Sequence, residues 1–244
     1  MITIDVNCDL GEGTGNEAFI MPLISSCNIA CGGHAGDRST METVVGLAKK
    51  YAVKIGAHPS FPDQPNFGRK VMNISAENLS NSLVEQINAL RQILNAEGLE
   101  LHHIKPHGAL YNLAAVDANT ASIIVDVIIK IDASTALYAP FGSVISKIAT
   151  EKGLKVVFEA FADRNYNQDL TLVSRANNDA LIDDPEIMFH HVSRMILDKK
   201  VTTLNGEEVA IKADTFCVHS DGRNVVKNLE SLIFKLKQNN IEIS

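Results

Sequence analysis

The chain has 244 residues, of which 45% are hydrophobic and 21% charged, and its formal net charge is −7. This length allows a sizeable core, and α/β barrels of this size are commonly one domain. The acidic balance, without tryptophan or a basic run, argues against a nucleic-acid surface. No apolar run reaches the ~18 residues that suggest a membrane span.

The cysteines and the first residues predict a cytoplasmic protein. Cys27 and Cys31 are four positions apart, but no second pair repeats the spacing, so we expect reduced thiols rather than a structural zinc site. Residues 1–7 have the pattern of a strand and lack the basic-then-apolar layout of a signal peptide.

In the first half of the chain, strands alternate with helices. We predict strands at residues 2–6, 25–30, 53–57 and 101–104. Ser39 and Glu42 have the spacing of a capping box that opens a helix. A second helix is predicted over about 76–98, where Gly98 is a suitable stop.

The second half continues the alternation. Helices are predicted at 117–131, 144–152, 185–199 and 223–237, and strands at 136–139, 156–158 and 215–218. Residues 165–184 are polar and irregular, and residues 204–209 indicate a hairpin that turns at Asn205-Gly206. Seven strands alternating with helices, without a linker, predict a parallel sheet covered by helices in one domain, residues 1–244.

Polar residues follow almost every predicted strand. The strand exits carry Asp9, Glu12, His34, Asp37, His58, Lys105, His107, Glu159, Asp163, Arg164, His219 and Asp221. In a closed α/β barrel these exits meet at one rim, where active sites lie. An open Rossmann-type sheet would favour a glycine fingerprint that residues 11–16 lack. We therefore favour the barrel.

Several of these residues have plainer interpretations. Asp and Gly make turns, and a single histidine at a strand end is usually structural. His102 and His103 are adjacent, so at least one is structural, and His190 and His191 are interpreted as packing or surface residues. A thiolate nucleophile needs a basic partner and a lowered pKa, and we do not favour one here.

The rim residues suit hydrolytic chemistry with or without a metal. Asp9 with nearby histidines could hold a divalent ion. Alternatively, Asp9 or Asp221 would act as general base for water, and Lys105 or His107 would polarise a carbonyl. Arg164 is suited to a bidentate grip on a carboxylate or phosphate.

Seven motifs together resemble the LamB/YcsF family over almost the whole chain. They are residues 7–12, 29–37, 56–60, 68–69, 105–112, 161–164 and 217–219. The string Lys-Pro-His-Gly-Ala-Leu-Tyr-Asn at 105–112 is highly specific. The family usually has Phe where Gly33 stands and Gly where Ser220 stands.

This resemblance implies an α/β fold, a seven-stranded β/α barrel of the glycoside hydrolase/deacetylase type. It implies ATP-dependent hydrolysis of 5-oxo-L-proline to L-glutamate, with ATP as co-substrate and the B and C subunits of a bacterial 5-oxoprolinase as partners. We assign catalysis to Asp9, Glu12, Lys105, His107 and Asp221. We assign substrate binding to His34, Asp37, His58, Arg69, Asn112, Glu159, Asp163, Arg164 and His219.

Two other functions stay open from the sequence. Deacetylase-like barrels bind a metal with an Asp and two His, which by analogy are Asp9, His34 and His58 here. The chain would then be a metal-dependent deacetylase or amidohydrolase that acts alone. A non-catalytic regulatory protein that binds a small carboxylate is the third hypothesis.

Overall fold

The computed structural model describes residues 2–244. Its strands are β1 (Ile2–Leu10), β2 (Ser26–Ala30), β3 (Lys54–His58), β4 (His103–Ile104), β5 (Ala136–Pro140), β6 (Val156–Phe161), β7 (Lys200–Thr202), β8 (Glu208–Ala210), β9 (Thr215–His219) and β10 (Ile241–Ile243). Its helices are α1 (Glu17–Ile20), α2 (Arg38–Tyr51), α3 (Ala76–Ala96), α4 (Gly108–Ala114), α5 (Ala118–Asp132), α6 (Val144–Glu151), α7 (Pro185–Leu197) and α8 (Val225–Gln238).

Seven parallel strands close into a barrel, as the sequence predicts. They follow the order β1-β2-β3-β4-β5-β6-β9, and β9 returns to pair with β1, so that Asn7 lies opposite Cys217. β10 extends β1 on the outside, and β7 and β8 form the predicted hairpin. Because the strands are parallel, their carboxyl ends lie at one rim.

Three elements were not predicted, and one helix cap was predicted wrongly. Helices α1 and α4 and strand β10 have no clear signal in the sequence. The N-cap of α2 is Asp37, whose Oδ1 accepts a hydrogen bond from Thr40 N at 2.8 Å. Ser39 lies inside the first turn, and Glu42 pairs with Arg38 at 2.8 Å instead of closing a capping box.

The interior of the barrel is polar and hydrogen-bonded. Alternate residues of β1 face inward because strand side chains alternate with a period of two. Asp5 Oδ1 accepts from Ser26 Oγ at 2.7 Å and from Thr215 Oγ1 at 2.6 Å. One layer above, Asn7 donates to Glu159 and Asn28 donates to Asn7, at 3.0 and 2.8 Å. These paired groups satisfy the hydrogen bonding that burial demands.

Two aromatic rings fill the lower end of the barrel. The rings of His103 and Tyr138 stack with centroids 3.7 Å apart. Gly56 makes room for the His103 ring, since a Cβ there would lie 2.1 Å from His103 Nε2. Among residues 2–244, no helix has the length and apolar character needed to cross a membrane.

Candidate active site

A cavity of about 640 Å³ opens at the carboxyl ends of the strands. Its polar inner end is formed by side chains from five strands and their exits: Asp9, His58, Lys105, Glu159 and His219. Its outer wall is largely apolar and is formed by Val116, Phe141, Leu170, Leu172 and Ile211. The strand ends therefore converge as the barrel topology predicts.

Lys105 is the buried cation of this site. Its side chain is 2% exposed, and Nζ lies 2.9 Å from both Asp9 Oδ1 and Glu159 Oε1. Nζ also donates to Cys217 Sγ at 3.1 Å and to Asn7 Oδ1 at 3.4 Å. Burial alone would lower the pKa of Lys105, but the charges of Asp9 and other neighbours outweigh it and raise the pKa well above its usual value. Since an ammonium has three N–H donors, all of them are engaged within the protein.

Asp9 is held as a carboxylate at the centre of the cavity floor. Its Oδ1 accepts from Lys105 and from Asn28 Nδ2, at 2.9 and 2.8 Å. Its other oxygen, Oδ2, lies 3.4 Å from His58 Nε2. Burial would raise the pKa of Asp9, but the neighbouring His58 and Lys105 prevail and hold it well below its usual range.

His58 and His107 face each other in the cavity. Backbone carbonyl groups determine which nitrogen of each ring carries hydrogen. His58 Nδ1 lies 2.8 Å from the Lys105 carbonyl oxygen, and His107 Nε2 lies 3.0 Å from that of Phe67. A carbonyl only accepts, so both of these nitrogens carry hydrogen. In neutral rings the opposite nitrogens, His58 Nε2 and His107 Nδ1, then carry lone pairs, yet they lie 3.0 Å apart. Two lone pairs at this distance repel each other. The contact is favourable when a proton or a metal cation lies between the two nitrogens.

Glu12 and His34 complete a cluster that could hold a metal ion. Glu12 Oε1 lies 2.9 Å from His34 Nε2, 3.3 Å from His107 Nδ1 and 3.8 Å from His58 Nε2. Tetrahedral ligands about 2.0–2.1 Å from zinc are about 3.3 Å apart, so these spacings fit. The predicted trio had Asp9 with His34 and His58, whereas the structure groups Glu12 and His107 with these histidines.

Carboxylates outnumber ammonium groups at this end of the cavity. The carboxylates Asp9, Glu12 and Glu159 are buried and face one buried ammonium, Lys105. Burial lowers the pKa of His34 and of His107, which favours their neutral forms. Three carboxylates against one ammonium leave an excess of two negative charges, which is costly in a buried site. A divalent cation would neutralise it.

Two of the predicted site residues, Asp163 and Arg164, hold other parts of the site in place. Asp163 accepts from the backbone N and from Nδ1 of His219, at 2.8 and 3.0 Å, and so orients that ring at the cavity. Arg164 lines the cavity, but its Nη2 donates to the Val173 carbonyl and its Nε to the Ala180 carbonyl. These bonds tie the irregular segment 165–184 to the end of β6.

The remaining predicted residues lie at the rim or away from it. Arg69 donates to Asp221 Oδ2 at 2.6 Å, and Arg175 donates to the same oxygen at 3.3 Å. Asn112 is exposed at the cavity mouth. Asp37 is not among the cavity-lining residues; it caps α2, and the Thr40 hydrogen bonds lower its pKa.

Sequence reasoning passed over three residues of the site: Asn28, Tyr111 and Arg175. Asn28 joins Asp9 to His103, and its signal was the polar alternation of β2, Ser26 and then Asn28, within a fully buried strand. Tyr111 stood in the most specific motif without an assigned role. Arg175 lies in irregular chain, where periodicity gives no signal.

The cysteines are not activated nucleophiles. All four are buried, and burial raises the pKa of each thiol. Lys105 acts in the opposite direction on Cys217 but does not overcome burial. The thiols therefore stay protonated at neutral pH.

Comparison with known proteins identifies the family. The profile of the LamB/YcsF family matches residues 4–244. The chain belongs to the LamB/YcsF family. It is 42% identical over its whole length to the 5-oxoprolinase A subunit of Clostridium beijerinckii and 44% identical to that of Bacillus cereus, covering 97% and 98% of those proteins. The crystal structure of the lactam utilization protein from Thermus thermophilus matches with a TM-score of 0.92 at 40% identity, over 99% of both chains.

The structure gives a reason for glycine at position 33. A Cβ at Gly33 would lie 2.3 Å from Gln86 Oε1 and 2.4 Å from Ser60 Oγ. The Gln86 amide makes two hydrogen bonds of 2.9 Å with the backbone of Ser60, next to the loop that follows β3. In this chain the Gln86 side chain occupies the space that a larger residue at position 33 would need.

Proposed function

We propose that this protein is the A subunit of a 5-oxoprolinase and opens the lactam ring of 5-oxo-L-proline, with ATP, to give L-glutamate. Family membership and the names of its relatives support this proposal. The observation that carries it is the buried Lys105–Asp9–Glu159 system beside His107, whose pKa burial lowers, in a cavity of about 640 Å³. Such preorganised charges act strongly on a bound amide.

The proposed reaction needs ATP because a five-membered lactam is a weak electrophile. Transfer of the γ-phosphoryl group to the amide oxygen gives ADP and an activated ring carbon. Water adds to that carbon, the ring C–N bond breaks, and the nitrogen takes up a proton to become the amino group. A second water releases phosphate from the acyl phosphate. The sum is 5-oxoproline, ATP and two waters converted to glutamate, ADP and phosphate.

Side chains of the cavity supply a proton acceptor and fixed positive charges for these steps. The deprotonated Asp9 Oδ2 can accept the proton of the attacking water. Lys105 stabilises developing negative charge through its own charge, since its N–H donors are engaged. Arg69 and Arg175 place cations at the mouth, where phosphate oxygens would lie.

A divalent metal fits the cluster of Glu12, His34, His58 and His107, and we include it in the proposal. Support comes from the facing lone-pair nitrogens, from the ligand spacing and from the excess of carboxylate charge. A bound ion of this kind lowers the pKa of water and polarises a carbonyl.

The test is glutamate release from 5-oxoproline by the chain assembled with its B and C subunits and supplied with ATP. We expect ATP-dependent turnover, and Asp9→Asn should reduce it more than about 10²-fold. His102→Gln, at the opposite end of the barrel, is the control that should keep the rate. No ATP-dependent glutamate from the three assembled subunits would reject the proposal.

Metal content is tested separately. We expect about one zinc ion per chain after loading and dialysis, and much weaker retention in Glu12→Gln. Glu42→Gln, an exposed carboxylate, is the control. If elemental analysis finds no retained metal in the unaltered protein, the facing histidine nitrogens share a proton instead.

The same cluster favours a second candidate, a metal-dependent amidohydrolase or deacetylase that acts without partners. This enzyme would need no ATP and would lose all activity with a chelator. Amide hydrolysis by the isolated chain in the absence of ATP would support it over the first proposal.

A further inference from the structure

The inner end of the cavity contains two buried polar atoms without a partner. The Tyr111 hydroxyl and Glu159 Oε2 make no hydrogen bond, although the two residues are only 5% and 2% exposed. Within residues 2–244, they are the only cavity-lining residues with an unpartnered buried side-chain oxygen or nitrogen. Buried polar groups are nearly always paired, so an orphaned donor beside an orphaned acceptor indicates a ligand that supplies both partners.

The neighbouring polar groups are already occupied. Lys105 donates to Asp9, Asn7 and Cys217 and forms an ion pair with Glu159. Glu159 Oε1 accepts from Lys105 and from Asn7. The free hydrogen-bonding capacity of this wall is therefore one donor and one acceptor.

The roles of the two atoms are fixed by their surroundings. Burial raises the pKa of the Tyr111 hydroxyl well above its usual value, and the adjacent Glu159 raises it further, so the hydroxyl keeps its hydrogen. Glu159, as the ion-pair partner of Lys105, offers Oε2 as an acceptor. The two side chains interact closely enough for Glu159 to raise the pKa of Tyr111, but neither Tyr111 Oη nor Glu159 Oε2 has a partner that meets hydrogen-bond geometry, so both atoms can still bind a ligand.

We propose that Tyr111 and Glu159 together bind the edge of a cis amide: the hydroxyl donates to the carbonyl oxygen and Glu159 Oε2 accepts the N–H hydrogen. In a small lactam the ring forces the amide to be cis, so its N–H and C=O point to the same side. An open-chain secondary amide is almost always trans and presents the two groups on opposite sides. Phe161, edge-on to Tyr111 with centroids 5.7 Å apart, provides an apolar surface for the ring carbons.

This inference rests on the proposed function for its lactam substrate and adds how that substrate is selected. Small lactams with a free N–H are the substrate class. N-alkylated lactams and open-chain amides of similar size are excluded, because they leave Glu159 Oε2 or Tyr111 Oη buried without a partner.

The test is calorimetric titration of the chain assembled with its B and C subunits, without ATP. The probes are 5-oxo-L-proline and its N-methyl derivative. In the unaltered protein, N-methylation should weaken binding at least about 10-fold, the effect of losing a hydrogen bond to a charged group. Tyr111→Phe should weaken binding of 5-oxoproline about 3- to 10-fold. Tyr138→Phe, which removes a hydroxyl near Ser26 at the other end of the barrel, should not change it.

A second measurement shows that Tyr111→Phe remains folded. Because its hydroxyl has no partner, the variant should melt at or above the temperature of the unaltered protein. Equal affinity in Tyr111→Phe and Tyr138→Phe, or equal binding of the N-methyl probe, would overturn the inference, as would no binding of either lactam. Selective lactam binding without ATP-dependent glutamate release would reject the proposed function and leave this inference standing.

Discussion

Replacing Lys105 by Met tests how much one buried cation contributes to the folding stability of the protein. The change keeps most of the side-chain volume but removes the ammonium that contacts Asp9 and Glu159 at 2.9 Å each. Breaking a buried ion pair by removing one partner typically costs about 3–5 kcal/mol, because a buried charge is left uncompensated. Since two carboxylates lose their partner here, we expect a loss at the upper end of that range.

The loss of stability in Lys105→Met should depend on pH. The lowered pKa of Asp9 in the native protein contributes stability above the unfolded pKa, and this contribution is lost as pH falls through the folded pKa. In Lys105→Met, the unpaired carboxylates should have raised pKa values and take up protons more readily. The stability difference between the two proteins should therefore be largest near pH 8 and shrink toward pH 4.5.

The assay is urea unfolding of chelator-treated protein at pH 8, 6 and 4.5. Lys54→Met is the matched control, because Lys54 forms a partly exposed pair with Asp5 at 3.2 Å that is worth at most about 1 kcal/mol. A loss below about 1 kcal/mol at pH 8 for Lys105→Met, or a loss that does not vary with pH, would refute the reasoning.

Three further changes probe other parts of the molecule. Gly56→Ala places a Cβ 2.1 Å from His103 Nε2 and should lower the free energy of unfolding by about 1–3 kcal/mol, whereas exposed Gly46→Ala in α2 should not lower it. The folded protein should not react with a thiol reagent at pH 8, because burial raises the thiol pKa values, to about 12 for Cys27 and Cys31; rapid labelling would contradict this. Asp221→Asn should lower turnover less than tenfold, because Asp221 contacts Arg69 and Arg175 and does not itself line the cavity; a loss as large as that of Asp9→Asn would contradict this.

The barrel was predictable because its strands and helices have unambiguous local patterns. Most strands are short, largely apolar runs, and most are followed by polar residues that the parallel topology brings to one rim. Helix α4 was missed because its first residue is Gly108, which indicates a loop. The structure gives the reason for that glycine: its φ is +54° and a Cβ there would lie 2.7 Å from the Gly68 carbonyl oxygen.

The partners of the site residues were not predictable from local patterns. Asp37 as a helix cap and Asp37 as a ligand have the same sequence signature, an acidic residue between a strand and a helix. Lys105 was expected to reach substrate, but it contacts Cys217, 112 positions away. The protonation of His58 and His107 depends on the carbonyls of Lys105 and Phe67, which are backbone atoms that no side-chain pattern reveals.

The polar interior makes closure of the barrel a late event in synthesis. Asp5 on the first strand accepts a hydrogen bond from Thr215, 210 positions later. At about 5–20 residues per second, a ribosome needs roughly 10–40 s to make that length of chain. During this time the inward face of β1 cannot complete its hydrogen bonds and cannot be buried without cost. We therefore expect fragments that end before β9 to lack a stable barrel, and native structure to form only after the last barrel strand leaves the ribosome.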